Sequence, residues 1–86
     1  MPRFRWNGWN IDHIAKHRVR RSEAESIVEA ENRRRIGDGK YKAIGRGIGG
    51  RWLQVIYIFD PPGVIFVIHA RLLTESEKHR ERRQWP

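Results

Sequence analysis

Four histidines and a large excess of arginine are the side chains of this 86-residue sequence that could move a proton or hold a phosphate. His17 follows Lys16 and precedes Arg18, Arg20 and Arg21. Neighbouring positive charge disfavours an imidazolium, which makes His17 a candidate base near neutral pH. The competing reading is an exposed histidine at a helix end, where it meets the C-terminal dipole. His13 lies one helical turn earlier and could share a metal with His17. The H-E-x-x-H arrangement is absent, however, and no third ligand is placed, so neither a metal site nor a cofactor is expected. The absence of cysteine removes disulfides, thiolate catalysis and sulfur-ligated zinc, and suits a reducing cytoplasm.

The 18 Lys and Arg against 10 Asp and Glu leave a formal charge of +8, and arginine dominates the cations. Its planar fork grips phosphate or carboxylate through two parallel hydrogen bonds, whereas lysine offers a point charge. A nucleic acid or an acidic protein is therefore the expected partner. The cations are spread along the chain, so any basic patch has to be assembled by folding. Gly45 to Gly50, "GRGIGG", formally satisfies the dinucleotide pattern G-x-G-x-x-G. That pattern requires a helix to follow, and here a strand follows. A hairpin loop is expected, with Arg46 and Arg51 able to close over a phosphate. Trp6, Trp9 and Trp52 are expected in the core or at its rim, and Trp85 outside it.

These residues need elements to position them. Arg3 to Trp6 alternates as a short strand before the turn pair Asn7-Gly8. Asn10 is the expected N-cap of a first helix that ends near His17, with Ile11, Ile14 and Ala15 on its buried side. Ser22 and Glu25 predict a capping box for a second helix from about Glu23 to Glu31, buried through Ala24, Ile27, Val28 and Ala30. Arg33 to Ile36 and Lys40 to Ile44 flank "GDG", a hairpin composition. "WLQVIYIF" and "VIFVIH" carry the strongest strand signals and are joined by the turn "DPPG". The second is apolar on both faces and is expected to lie centrally, its "VIH" in the core. Thr74 and Glu77 form a further capping box, for a last helix reaching about Gln84. The order β, α, α, several antiparallel strands, α describes one small α+β domain over residues 1–86. No apolar run is long enough to span a bilayer and no leader is evident, so the chain is expected to be soluble, cytoplasmic and without a membrane partner.

The last helix raises a problem of its own. Glu75 to Gln84 contains no apolar residue, and a lone helix of that length is marginal in water. Its i, i+3 and i, i+4 charge pairs contribute only about 0.2–0.5 kcal/mol each. It should fray unless phosphates or an acidic partner order it.

Two separated motifs resemble one known family. "FRWNGWNIDHIAKHRV" followed by "SEAESIV", and "RWLQVIYIF" with "VIHARLLTESEKHRERR", resemble the opening and closing signatures of BrnT-like toxins, and the likeness covers nearly the whole chain. The resemblance implies a RelE/ParE-like fold, with a small antiparallel sheet carrying two N-terminal helices and a C-terminal helix. It implies the toxin of a type II toxin-antitoxin pair, a metal-independent endoribonuclease that inhibits translation by cutting RNA, in some cases on the ribosome. It further implies a cognate antitoxin with a ribbon-helix-helix DNA-binding domain. The matching positions are Lys16, His17, Arg51, Tyr57, Arg71, Thr74 and Glu77. Where the family has a glycine after Lys-His this chain has Arg18, and in place of two arginines after the glutamate it has Lys78 and His79.

Cleavage of RNA without a metal uses the 2′-hydroxyl as nucleophile. It needs a base there, an acid at the leaving 5′-oxygen and cations against the phosphorane charge. His17, Arg51, Arg71 and Lys78 are the candidate catalytic set, His17 as base or acid and Arg51 and Arg71 as charge stabilisers. Lys16, Arg46, Tyr57, His79, Arg80, Arg82 and Arg83 are candidate RNA contacts. Each has a bland counterpart: Arg71 could pair with Glu77 across the helix start, and Tyr57 could be core. Two other functions fit the same fold, a non-catalytic module that binds nucleic acid or an acidic partner, and a ParE-like topoisomerase inhibitor.

Overall fold

The computed structural model describes residues 3–30, 33–47, 49–61 and 63–84. In chain order the elements are β1 (Phe4–Arg5), α1 (Gly8–Ala15), α2 (Arg21–Glu29), β2 (Arg33–Gly37), β3 (Lys40–Arg46), β4 (Trp52–Asp60), β5 (Val64–Leu72) and α3 (Glu75–Gln84). The strands form one five-stranded sheet in the order β1-β5-β4-β3-β2. β2 to β5 pair antiparallel, as their hairpin turns dictate. β1 pairs parallel to β5, Phe4 opposite Ile65, so the sheet is mixed rather than purely antiparallel. The two-residue β1 takes the outer place on β5, which makes β4 the middle strand of the five.

Local chemistry explains the helix boundaries. α1 starts before Asn10, because Asn7 is the N-cap: its side chain accepts from the Asn10 N–H while Asn10 Oδ1 accepts from the Asn7 N–H. Asn10 is therefore an interior, fully buried residue that also donates to the Arg5 carbonyl. α2 likewise starts earlier than Ser22 and Glu25 suggest. Arg20 occupies the cap position and donates its N–H to Glu23 Oε1, so the reciprocal residue is Glu23. Ala24, Ile27 and Val28 are buried as expected, but Ala30 is exposed. For α3 the expected box is present, with the Thr74 N–H donating to Glu77 Oε1 and the Glu77 N–H to Thr74 Oγ1. Between β2 and β3, Gly37, Asp38 and Gly39 all adopt positive φ, which glycine and aspartate tolerate. Of "GRGIGG", Gly45 and Arg46 finish β3, and the Gly47 N–H donates to the Arg51 carbonyl across the connection to β4.

One face of the sheet holds the main core. Ala43, Leu53, Val55, Tyr57, Ile65, Val67 and Ala70 meet Ile14 of α1, Val19, and Ala24, Ile27 and Val28 of α2. On the opposite face Ile44, Trp52 and Leu73 form a smaller cluster. Over that side lies α3, which the chain's own ion pairs hold in place without an added partner. Arg34 donates to both oxygens of the buried Glu81 at 3.0 and 2.7 Å, and Arg71 grips Glu77 in the same forked manner. No helix among the described residues is long and apolar enough to cross a membrane.

Candidate nucleic-acid interface

A bulge decides which side chains share the second face. Ile56 pairs with His69 but Tyr57 pairs with Val67, so Ile68 is an extra residue in β5. Side chains alternate strictly along a regular strand, which would put His69 on the core face with Ile65 and Val67. The extra residue shifts that phase. Phe66, His69 and Arg71 consequently stand opposite Ile58, Ile56 and Gln54 of β4, all away from the main core. Treating "VIH" as ordinary core missed His69 for this reason, and no signal in "VIFVIH" marks the bulge.

α1 approaches the same place along the edge of β5 that β1 leaves free. Its buried Ile14 enters the main core, while Trp9 and His13, four residues apart, and His17 in the turn after the helix reach the ring-bearing face. The Trp9 and His13 rings stack at 4.8 Å and 12°, and Trp9 and Phe66 are near-parallel at 6.0 Å. His13 lies 6.0 Å from His69, and His17 meets His69 edge to face at 5.1 Å. Although three histidines converge, no group of three or more His, Asp or Glu among the described residues is arranged to hold a metal.

Burial lowers the proton affinity of His69 below the ordinary imidazole range, and the nearby His17, His13 and Arg71 charges push it further down. A neutral imidazole can accept a proton, and the exposed ring of His17 stands beside it. Arg71, two residues on, donates to Glu77 at 2.8 Å through Nη1 and Nη2 and to the Leu72 carbonyl at 3.1 Å. The hydrogen bonds from Arg71 and Thr74 hold the Glu77 carboxyl down at about 2. Arg71 thus fixes the start of α3 and carries a carboxylate with it, and the local field it gives the histidines is that of a pair rather than a bare cation.

The remaining predicted residues are dispersed. Arg51 donates through Nε and Nη2 to both oxygens of Glu23, and through Nη2 to the Arg18 carbonyl. It lines a cavity of about 320 Å³ with Arg18, Arg20, Ser22 and Glu23, a lining that includes neither Arg71 nor a histidine. Burial raises the Glu23 carboxyl, but the bonds from Arg51 and the Arg20 N–H outweigh it and leave the group below its ordinary value. Tyr57 is 0% exposed in the main core, stacked on Tyr41, and burial raises its hydroxyl above the usual phenol range. It is a core residue and not the RNA contact expected of it. Arg46 donates to the Gly50 carbonyl at 3.4 Å and lies over the Trp52 ring.

Lys16 is the exposed C-cap of α1. On α3, Lys78 pairs with Glu75 at 3.0 Å, and Arg83 Nη2 lies 3.5 Å from His79 Nε2. Arg80 and Arg82 line an open depression with Glu75, Ser76 and His79. Trp52 is buried and Trp6 half-buried, donating to Glu25 at 2.8 Å, whereas Trp9, expected in the core or at its rim, is 55% exposed. Trp85 lies outside the described residues. The face thus offers rings and a histidine pair on the β5 side and the cations of α3 on the other. No protein-family model matches this chain, and no curated protein or solved structure matches it either.

Proposed function

We propose that this chain is a toxin-type endoribonuclease that cuts RNA by attack of the 2′-hydroxyl. The supporting observation is the His17–His69 pair, rings 5.1 Å apart, beside Arg71 on a face away from the main core, in a chain of charge +8. His69 serves as the base on the 2′-hydroxyl, because its surroundings keep it neutral. His17, more exposed, delivers the proton to the leaving 5′-oxygen. The α3 cations Lys78, Arg80, Arg82 and Arg83, with His79 and Lys16, hold the RNA backbone. The RelE/ParE-like classification, translation as the target and neutralisation by a cognate antitoxin belong to the same proposal and rest on the resemblance to BrnT-like toxins.

Incubation of the purified chain with RNA, alone and with ribosomes, in the presence of a chelator, should yield fragments ending in 2′,3′-cyclic phosphate. His69→Ala and His17→Ala should each abolish them, and induction of the wild type should arrest growth. RNA that stays intact under both conditions sinks the proposal. A second reading has its own support: Arg51 and Arg71, the two arginines the motif supplies, are both closed in ion pairs with Glu23 and Glu77. A silent module that binds nucleic acid or an acidic partner would show salt-sensitive binding with no cleavage product.

A further inference from the structure

Trp9 is the largest exposed apolar side chain of the described residues, 55% open, and it is not isolated. It belongs to a near-parallel set of rings, with His13 at 4.8 Å and 12° and Phe66 at 6.0 Å and 18°. The Arg5 guanidinium sits 5.0 Å over Phe66 and pairs with Asp60, which fixes the far end of the set. At its other end the rings continue from His13 to His69 and His17. A stack held in place on several sides loses little entropy when one more flat ring joins it. Arg5 and Arg71 are already paired with Asp60 and Glu77, but the surplus cations of this +8 chain suit a flat ring attached to a phosphate. They suit an apolar protein segment less well.

We infer that Trp9 is a base-stacking residue, the subsite that seats an unpaired base of single-stranded RNA next to the His17–His69 pair. This rests on the RNA-directed part of the proposed function and not on cleavage. Stacking on an aromatic side chain tolerates every base, since each has a π face, and it requires that the base be out of a duplex. The subsite therefore selects single strands over paired RNA without reading sequence. Trp9 touches the base and not the reacting atoms, so it sets where the strand lies, while the histidines act on the sugar and phosphate.

The test uses the full chain and a single-stranded 2′-O-methyl oligonucleotide, which lacks the nucleophile and stays whole. Titration should quench tryptophan fluorescence in the wild type, and the same oligonucleotide annealed to its complement should bind less tightly. Trp9→Ala should weaken single-strand binding about ten- to hundredfold, and Trp9→Phe, which keeps a ring, should restore most of it. An abasic backbone of equal length should bind wild type and Trp9→Ala alike. Equal affinity of wild type and Trp9→Ala for the oligonucleotide, with Trp9→Ala folded by circular dichroism, overturns the inference, and would leave Trp9 as a contact for some other partner. The two proposals separate cleanly. Loss of binding in Trp9→Ala while natural RNA stays uncut removes the nuclease and keeps the subsite, whereas unchanged binding with RNA cut at histidine-dependent sites does the reverse.

Discussion

Arg18 adopts φ 60, the left-handed region that costs an L side chain about 1–2 kcal/mol and glycine almost nothing. The turn from His17 to Val19 demands that conformation, because the Arg18 N–H bonds the Ala15 carbonyl and the Val19 N–H bonds the Ile14 carbonyl. Arg18→Gly should therefore stabilise the fold by about 0.5–1 kcal/mol, after allowance for the extra freedom glycine gives the unfolded chain. Urea unfolding measures it, and a destabilised variant would contradict the account. Glu77 yields a second prediction. Its carboxyl titrates at about 2 when folded, against 4.5 as the ordinary value, so the unfolded chain binds its proton first as pH falls. The stability it contributes is whole above 4.5 and is lost as pH falls towards 2, and the gap between wild type and Glu77→Gln should close over that window. For His69 the shift is also downward: its contribution is present above 6.5 and fades as pH drops below it through the folded value. His69→Gln should lose that acid-side decline, and the acid limb of any cleavage activity should fall below 6.5. At this scale the sequence made His17, Arg71 and Glu77 legible through their motifs. His69 was hidden by a bulge that no residue type announces, and Tyr57 stood open between an RNA contact and a core residue only while its strand face was unknown.

Elements were more readable than their ends. Hydrophobic alternation and turn residues located β2 to β5, and the stripe Ala24, Ile27 and Val28 located α2. Caps were misplaced where two candidates compete: Asn7 and Asn10 can each cap α1, and only the burial of Asn10 settles which does. β1 was legible as a strand in Arg3 to Trp6, but its place in the sheet was not, since its parallel partner is β5, about sixty residues away in sequence. α3 gives the clearest case of tertiary contacts overriding composition. With no apolar residue of its own, it is held by Leu73 at its base and by the Arg34–Glu81 and Arg71–Glu77 forks. Glu81→Gln should free its last turns at a cost of about 1–3 kcal/mol, and hydrogen exchange of the α3 amides should accelerate while the α2 amides stay protected. Thr74→Ala should cost about 1 kcal/mol by loss of the cap. Equal exchange in the Glu81 variant and the wild type would show that the helix does not depend on this fork.

For the molecule as a whole, the sum of charges matters more than any pair. A chain of +8 that binds single-stranded RNA should release counterions, so that log affinity falls linearly with log salt. Each phosphate contact removed by Arg82→Gln or Arg83→Gln should reduce that slope by about 0.7. A slope unchanged in the double variant would place the backbone contacts elsewhere than α3. The same abundance of arginine bears on β2, the outer strand of the sheet beyond β3. Three consecutive arginines, Arg33, Arg34 and Arg35, lie along it, Arg33 resting over the Tyr41 and Phe59 rings. An outer strand offers a ladder of unused amide and carbonyl groups to any passing strand, and this is how sheets grow into aggregates. Two copies of β2 brought together would set guanidinium against guanidinium, so the charge that would draw a polyanion would also oppose growth of the sheet through its own kind.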